Sequence, residues 1–422
     1  MGAALAVIAA TVVGLGALGD VDLDAGVVAE SRVRMLEEHP SAEQQVVPRD
    51  ELIGTLRLAP HLALENDARV RLTLRYGPIL TAPYDLAPSL RSGGNSSAPP
   101  EQGSILHSGD ARARIEMGHW LLVAGVGATR GTFDPLINRT PADTAFVTTA
   151  RLPYSAYEAM ASVTSTSFRA TTMSLTARTG VSGGRGADAE AVMPTLQELR
   201  LDGGVERMLS PRDGLGGVVS YLGTRVQRNN DALVLRGGGT WMRVLARPSI
   251  LRMEAGLVYS QERSVAARDA GEDAFATISP WGRASYAYVA GERFPTLSAV
   301  VGSEPAIDHL RGTVESRGFL ELTSGWVPVR DWRLGLTATG SWLEPRTSRV
   351  ETHGRTWVGS LGGRIERAIG RTLIAGGGIA STWQRTERED LMGFRELVVT
   401  LDLGATLPRN ERPAPAGREA RR

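Results

Sequence analysis

The segment "RVRLTLRYGP" from Arg69 to Pro78 sets Val70, Leu72, Leu74 and Tyr76 against Arg71, Thr73 and Arg75. Successive side chains of a β-strand point to opposite faces, so this stretch carries one apolar face and one polar face. The constraint on the fold comes from the recurrence of the pattern along most of the chain. From Ala111, "ARARIEM" sets Ala113, Ile115 and Met117 against Arg112, Arg114 and Glu116. Met173, Leu175 and Ala177 oppose Thr172, Ser174, Thr176 and Arg178, and Leu251, Met253, Ala255, Leu257 and Tyr259 oppose Arg252 and Glu254. Trp332, Leu334, Leu336, Ala338 and Trp342 oppose Arg333, Thr337, Thr339 and Ser341, and Val399, Leu401 and Leu403 oppose Thr400 and Asp402. The segments run about 9 to 13 residues, enough for a tilted strand to cross a bilayer, whereas globular strands average about 5 to 6.

The connections follow a second rhythm. Tight turns such as "ENDA" at Glu65, Gly118-His119, "LSPRD" at Leu209, "ARP" at Ala246, "AGERF" at Ala290 and "PVRD" at Pro328 alternate with polar loops. Those loops include "RSGGNSSAPPEQGS" from Arg91, "RGADAEAVM" from Arg185, "EPAIDHLRGTVES" from Glu304 and "LEPRTSRVETHGR" from Leu343. Short turns on one rim and long loops on the other describe a membrane barrel. With a first strand near Val27 to Met35, the count comes to roughly 18. The predicted fold class is all-β, a closed antiparallel up-and-down transmembrane β-barrel of roughly 18 strands (16–18). Alternation alone would fit a soluble sandwich as well. Strand length, loop asymmetry and an export signal together separate the two.

That signal is "MGAALAVIAATVVGLGALGD", apolar from Ala3 to Leu18 and ending in the small-x-small pattern Ala17-Leu18-Gly19. It predicts a signal peptide over 1–19, a barrel over 20–407 and a polar tail over 408–422. Past it, the sequence contains no apolar run long enough for a membrane helix. The chain of 422 residues has 47 basic and 46 acidic residues, and every basic one is arginine. Balanced, dispersed charge argues against a nucleic-acid partner, which needs a basic stripe. The absence of cysteine excludes disulfides and thiolate metal sites.

A barrel of this width encloses water unless something fills it. The polar faces then predict a lumen wall of Arg57, Arg71, Thr73, Arg75, Arg112, Arg114, Glu116, Arg178, Glu198, Arg200, Asp202, Arg252, Glu254, Arg333, Arg364, Glu366 and Asp402. Opposed arginine and carboxylate walls would favour polar or charged solutes over apolar ones. The bland alternative is that each residue only solvates the lumen and pairs with a cross-strand neighbour. Trp120, Trp326 and Trp332 beside short turns, with Trp342 and Trp383 at long-loop ends, read as aromatic girdles at the two membrane interfaces.

Motifs of chemistry carry little here. "GVSGG" at Gly180 matches the serine-hydrolase pattern, but that needs a strand-to-helix elbow, and no helical pattern follows Ser182. The six histidines are scattered without metal-ligand spacing, so no metal, cofactor or enzyme activity is expected. The functional reading is an outer-membrane pore for hydrophilic solutes or an exported polymer. The alternative is an adhesin or receptor barrel with functional surface loops. The partners expected are the outer-membrane bilayer and the solute.

The phrases "LRLAPHLAL" and "RVRLTLRYGPIL", "GATRGTFDPL", "ARLPYSAYEAMASV" and "TARTGVSGG" resemble bacterial outer-membrane β-barrel proteins, specifically poorly characterised barrels of myxobacterial type. Some barrels of similar size are thought to serve as exits for secreted polysaccharide. The resemblance therefore implies polysaccharide export through a porin-like barrel and a periplasmic export protein as partner. It departs from the usual pattern in lacking a terminal aromatic, since Leu407 precedes the polar tail "PRNERPAPAGREARR".

Overall fold

The computed structural model describes residues 21–37, 52–66, 70–84, 103–133, 152–168, 170–227, 230–246, 248–264, 274–289, 295–308, 312–345, 354–370, 372–387 and 393–407. The predicted signal peptide and polar tail lie outside these residues.

Among the described residues, eighteen strands and one helix are present. The first strands are β1 (Val21–Glu37), β2 (Leu52–Asn66), β3 (Val70–Tyr84), β4 (Ser104–Met117), β5 (Trp120–Phe133) and β6 (Leu152–Phe168). Next come β7 (Thr171–Gly184), helix α1 (Ala187–Val192), β8 (Leu196–Met208), β9 (Asp213–Val226), β10 (Asn230–Ala246), β11 (Ser249–Ser264) and β12 (Phe275–Val289). The set closes with β13 (Thr296–Ile307), β14 (Val314–Trp326), β15 (Trp332–Pro345), β16 (Thr356–Ile369), β17 (Leu373–Thr386) and β18 (Gly393–Leu407).

Each strand pairs antiparallel with its neighbours in sequence, and β1 also pairs with β18, from Leu23 opposite Leu407 to Glu37 opposite Gly393. That last pairing removes both sheet edges, the only way a sheet can sit in hydrocarbon without unpaired backbone groups. Strands run from 12 to 17 residues, long enough to cross a bilayer at a tilt. Gly118 starts the two-residue β4–β5 hairpin with φ of 60°, the first central position where glycine relieves strain.

Residues opposite each other in an antiparallel pair share a face, so the register can be followed round the wall. One face carries Val126, Leu257, Ile278, Leu336, Leu361 and Leu401, each 61–71% exposed. These rows do not meet one another across two sheets, as a sandwich would require. Their side chains ring the outside of a closed cylinder, and an apolar belt of this extent belongs in lipid. The fold is an 18-stranded outer-membrane barrel.

Three details differ from the sequence expectation. A one-and-a-half-turn helix, α1, follows Ser182 after two further strand residues, where no helical pattern was read; its six residues carry no apolar stripe to announce it. The loop expected from Glu304 shrinks to residues 308–313, because Glu304 to Ile307 pair with Val314 to Arg317 and extend the ladder. The β9–β10 link on the long-loop rim is only three residues, 227–229.

Candidate functional site: the lumen wall

The second face of the sheet is concave. Arg252 on β11 bonds Glu206 on β8 at 3.0 Å, and Arg236 on β10 bonds Glu304 on β13 at 2.9 Å. Strands three places apart are about 14 Å distant along the sheet, so such pairs close where curvature brings side chains together.

Following the register from these pairs, Arg57 lies opposite Thr81 and Glu30, Arg71 opposite Arg114, Thr73 opposite Arg112, and Arg75 opposite Asp110. Glu116 faces Leu121, and Arg178 faces Arg200, with Glu198 and Asp202 two places to either side of Arg200. Arg252 faces Ser285, Glu254 faces Arg283, Arg333 faces Glu366, and Arg364 and Asp402 face Gly378 and Gly376. All of these positions share the concave face.

A short grammar organises the charge. Residues two apart on a strand share a face. Arg112 pairs with Asp110 at 3.2 Å, Arg114 with Glu116 at 2.7 Å, and Arg200 with Asp202 at 2.7 Å. Arg252 pairs with Glu254 at 2.9 Å and Arg364 with Glu366 at 2.8 Å. Each intrastrand carboxylate relieves a local cluster of arginines, since like charges directly opposite, as at Arg71 and Arg114, destabilise a sheet. Longer pairs add to this: Arg57 to Glu30 at 2.8 Å and Arg364 to Asp402 at 2.7 Å. Asp110, Arg112, Glu158, Met160 and Arg178 surround a cavity of ≈ 140 Å³ beside Gly125 and Gly127.

The opposite stretch of wall, β9 to β14, is built differently. Ala232, Val234, Val258, Trp281, Ile307 and Val314 form a buried apolar cluster, with Val218 and Leu222 against it. The Trp281 ring lies over Gly238, where a Cβ would stand 2.9 Å from its Cζ2, and its Nε1 donates to the Gly237 carbonyl at 3.2 Å. The Arg236 guanidinium sits 4.6 Å from the centre of that ring, donates from Nε to Ser220 Oγ at 3.0 Å, and reaches Glu304. Glu262 accepts the Val314 amide at 2.9 Å and the Asn230 side-chain amide at 3.2 Å, tying the β13–β14 turn to the wall. Arg317 lies 5.3 Å over Phe319, whose ring in turn covers Gly302.

Sequence reasoning missed Arg236, Glu304, Trp281 and Glu262. In "ALVLRGGG" the inward Ala232 and Val234 are as apolar as the outward Leu233 and Leu235, so alternation does not announce Arg236, while Glu304 reads as the start of a polar loop. Trp281 was the one signal available, a tryptophan in mid-strand rather than at a rim.

On the outward face, Trp120, Trp326 and Trp332 stand at the short-turn rim. Trp342 lies over Gly318 and Trp383 over Gly359 towards the long-loop rim. Arg367 caps Trp332 at 5.2 Å, and Tyr76 shares a 2.8 Å hydrogen bond with His107.

No family model and no curated protein matches the chain. Among solved structures it is similar to OpdO of Pseudomonas aeruginosa, at 11% identity and TM-score 0.45, over 92% of this chain and 98% of that one. OccK9 (OpdG) of the same organism gives 12% and 0.46, over 92% and 99%. A BenF-like porin from Pseudomonas fluorescens Pf-5 gives 12% and 0.46, over 92% and 100%. At these values the likeness adds nothing to the strand pairing, on which the barrel stands.

Proposed function

We propose that the chain is an outer-membrane channel for small hydrophilic solutes, and a channel rather than an enzyme. One observation carries this reading: a closed 18-stranded barrel, too wide for its own side chains to fill, whose concave face interleaves guanidinium and carboxylate groups. In this reading the seventeen residues expected to line the lumen set its field, and the five rim tryptophans anchor the barrel at the two interfaces.

Charge is unevenly shared round the wall, and this supports a preference. On β2 to β4, Arg57, Arg71, Arg75, Arg112 and Arg114 outnumber the carboxylates Glu65, Asp110 and Glu116 on the same face. Such a ladder lowers the cost of desolvating an anion without holding it at one tight site. Anionic solutes are therefore the favoured cargo. The exported-polymer and adhesin readings have no observation in their favour among the described residues.

Purified protein in a planar bilayer is expected to conduct, and the double substitution Arg71→Glu with Arg75→Glu to move the reversal potential in a salt gradient towards cations. A folded, membrane-inserted protein that stays electrically silent would overturn the channel. An unchanged reversal potential would overturn the arginine wall alone.

A further inference from the structure

We infer a binding site for a phosphate-bearing lipid of the outer leaflet, on the outward face of β8 to β11 at their long-loop ends. It lies on the other side of the wall from the lumen and does not depend on what the lumen conducts. A pocket of ≈ 530 Å³ opens there.

Its construction is readable row by row from the register. The row nearest the rim runs Gln197, Arg225, Asp231, Arg263 across four adjacent strands. Two residues further from the rim, the row becomes Leu199, Gly223, Leu233, Gln261, and two further again Leu201, Tyr221, Leu235, Tyr259. A polar, net basic row thus sits directly on an apolar one. Gly223 leaves a trough between Leu199 and Leu233, and the Tyr221 side chain leans into it, its hydroxyl 2.7 Å from where a Gly223 Cβ would stand. Tyrosine in that place offers a ring to an acyl chain and a hydroxyl to a headgroup.

The ligand class follows from the donors. Arg225 has a side chain 64% exposed and holds Asp231 only loosely, at 3.9 Å, so its five N–H donors are not committed to that carboxylate. Arg263 borders the same pocket. Two guanidinium groups around one carboxylate leave a net positive charge, and planar guanidinium donors match phosphate oxygens. A soluble anion would have no use for the leucine rows beneath. A lipid carrying a phosphate at the headgroup level fits both halves of the site, and the long-loop rim faces the outer leaflet.

The test uses the full chain in non-ionic detergent, with heat-shifted gel migration confirming that each variant is folded. Bisphosphorylated lipid A is titrated and retained lipid counted by native mass spectrometry, against the same lipid with its phosphates removed. Arg225→Gln with Arg263→Gln is expected to weaken retention of lipid A roughly 10- to 30-fold, and wild type to hold the dephosphorylated lipid no better than this variant holds lipid A. Should the double variant not fold, Arg225→Gln alone is expected to weaken retention roughly 5-fold. Arg243→Gln, outward at the opposite rim, is expected to change nothing. Equal retention by wild type and the Arg225 variants would overturn the site, as would equal retention of the two lipids. Displacement of lipid A by inorganic phosphate at equal concentration would reduce it to a simple anion site and overturn the lipid assignment.

Discussion

The wall from β2 to β8 and the wall from β9 to β14 are made of antiparallel strands of one continuous ladder, yet they fill the inward face differently. The first lines it with arginines, several of them steadied by a carboxylate two residues along, as at Arg114 with Glu116 and Arg200 with Asp202. These side chains are 35–56% exposed, so each pair contributes little to stability, under about 1 kcal/mol. The second wall keeps one such pair, Arg252 with Glu254 near the short turns, but towards the long-loop rim it carries a small hydrophobic core under Trp281, roofed by the Arg236–Glu304 pair and closed by the turn that Glu262 holds. The difference teaches that a barrel can be solvated on one side and packed on the other. In the proposed channel the first wall would supply the field and the second rigidity.

Four substitutions would break or sharpen this contrast. The largest effect is expected for Trp281→Ala, which opens a cavity over Gly238 and removes the partner of Arg236. A loss of about 3 kcal/mol is expected in reversible urea unfolding from lipid vesicles, together with a larger single-channel conductance. An unchanged midpoint and conductance would mean that the cluster is decoration. Glu262→Ala should cost about 1–3 kcal/mol by leaving the Val314 amide unsatisfied, and should add current noise as the β13–β14 turn loosens. The smallest effect on stability, and the most telling on selectivity, is expected from Arg75→Gln beside Arg236→Gln. The first should shift the reversal potential with stability unchanged within about 0.5 kcal/mol. The second should also cost about 1–2 kcal/mol because Glu304 is left half-buried without its partner.

The two walls also differ in how far the sequence announced them. In β3, β4 and β15, period-two alternation assigned each side chain to a face, since every second residue is charged or hydroxyl-bearing there, as in Arg71, Thr73 and Arg75. The barrel, its strand number and its loop asymmetry were legible for that reason. In β10 and β11 the inward Val234 and Val258 are as apolar as the outward Leu235 and Leu257, so the pattern loses its phase. Nothing local distinguishes a valine facing acyl chains from one facing Trp281; that depends on curvature bringing β10, β12 and β14 together. The ion pairs three strands apart, Arg236 with Glu304 and Arg252 with Glu206, were hidden for the same reason. The intrastrand pairs were in plain view as Arg-x-Asp/Glu or Asp-x-Arg spacings within alternating segments. The length of the β9–β10 link was not announced by "QRNN", whose polarity suits a loop of any length.

The central claim is that one face of this sheet meets lipid and the other meets water. Because the chain contains no cysteine, a single one can report on either face. Leu361 and Ser360 are adjacent in β16 and lie on opposite faces. With the protein folded into vesicles, a fluorophore on Leu361→Cys should be quenched by nitroxide-labelled acyl chains and ignore a water-soluble quencher, and one on Ser360→Cys should do the reverse. Equal water access at both positions, or lipid quenching at Ser360→Cys, would contradict the account.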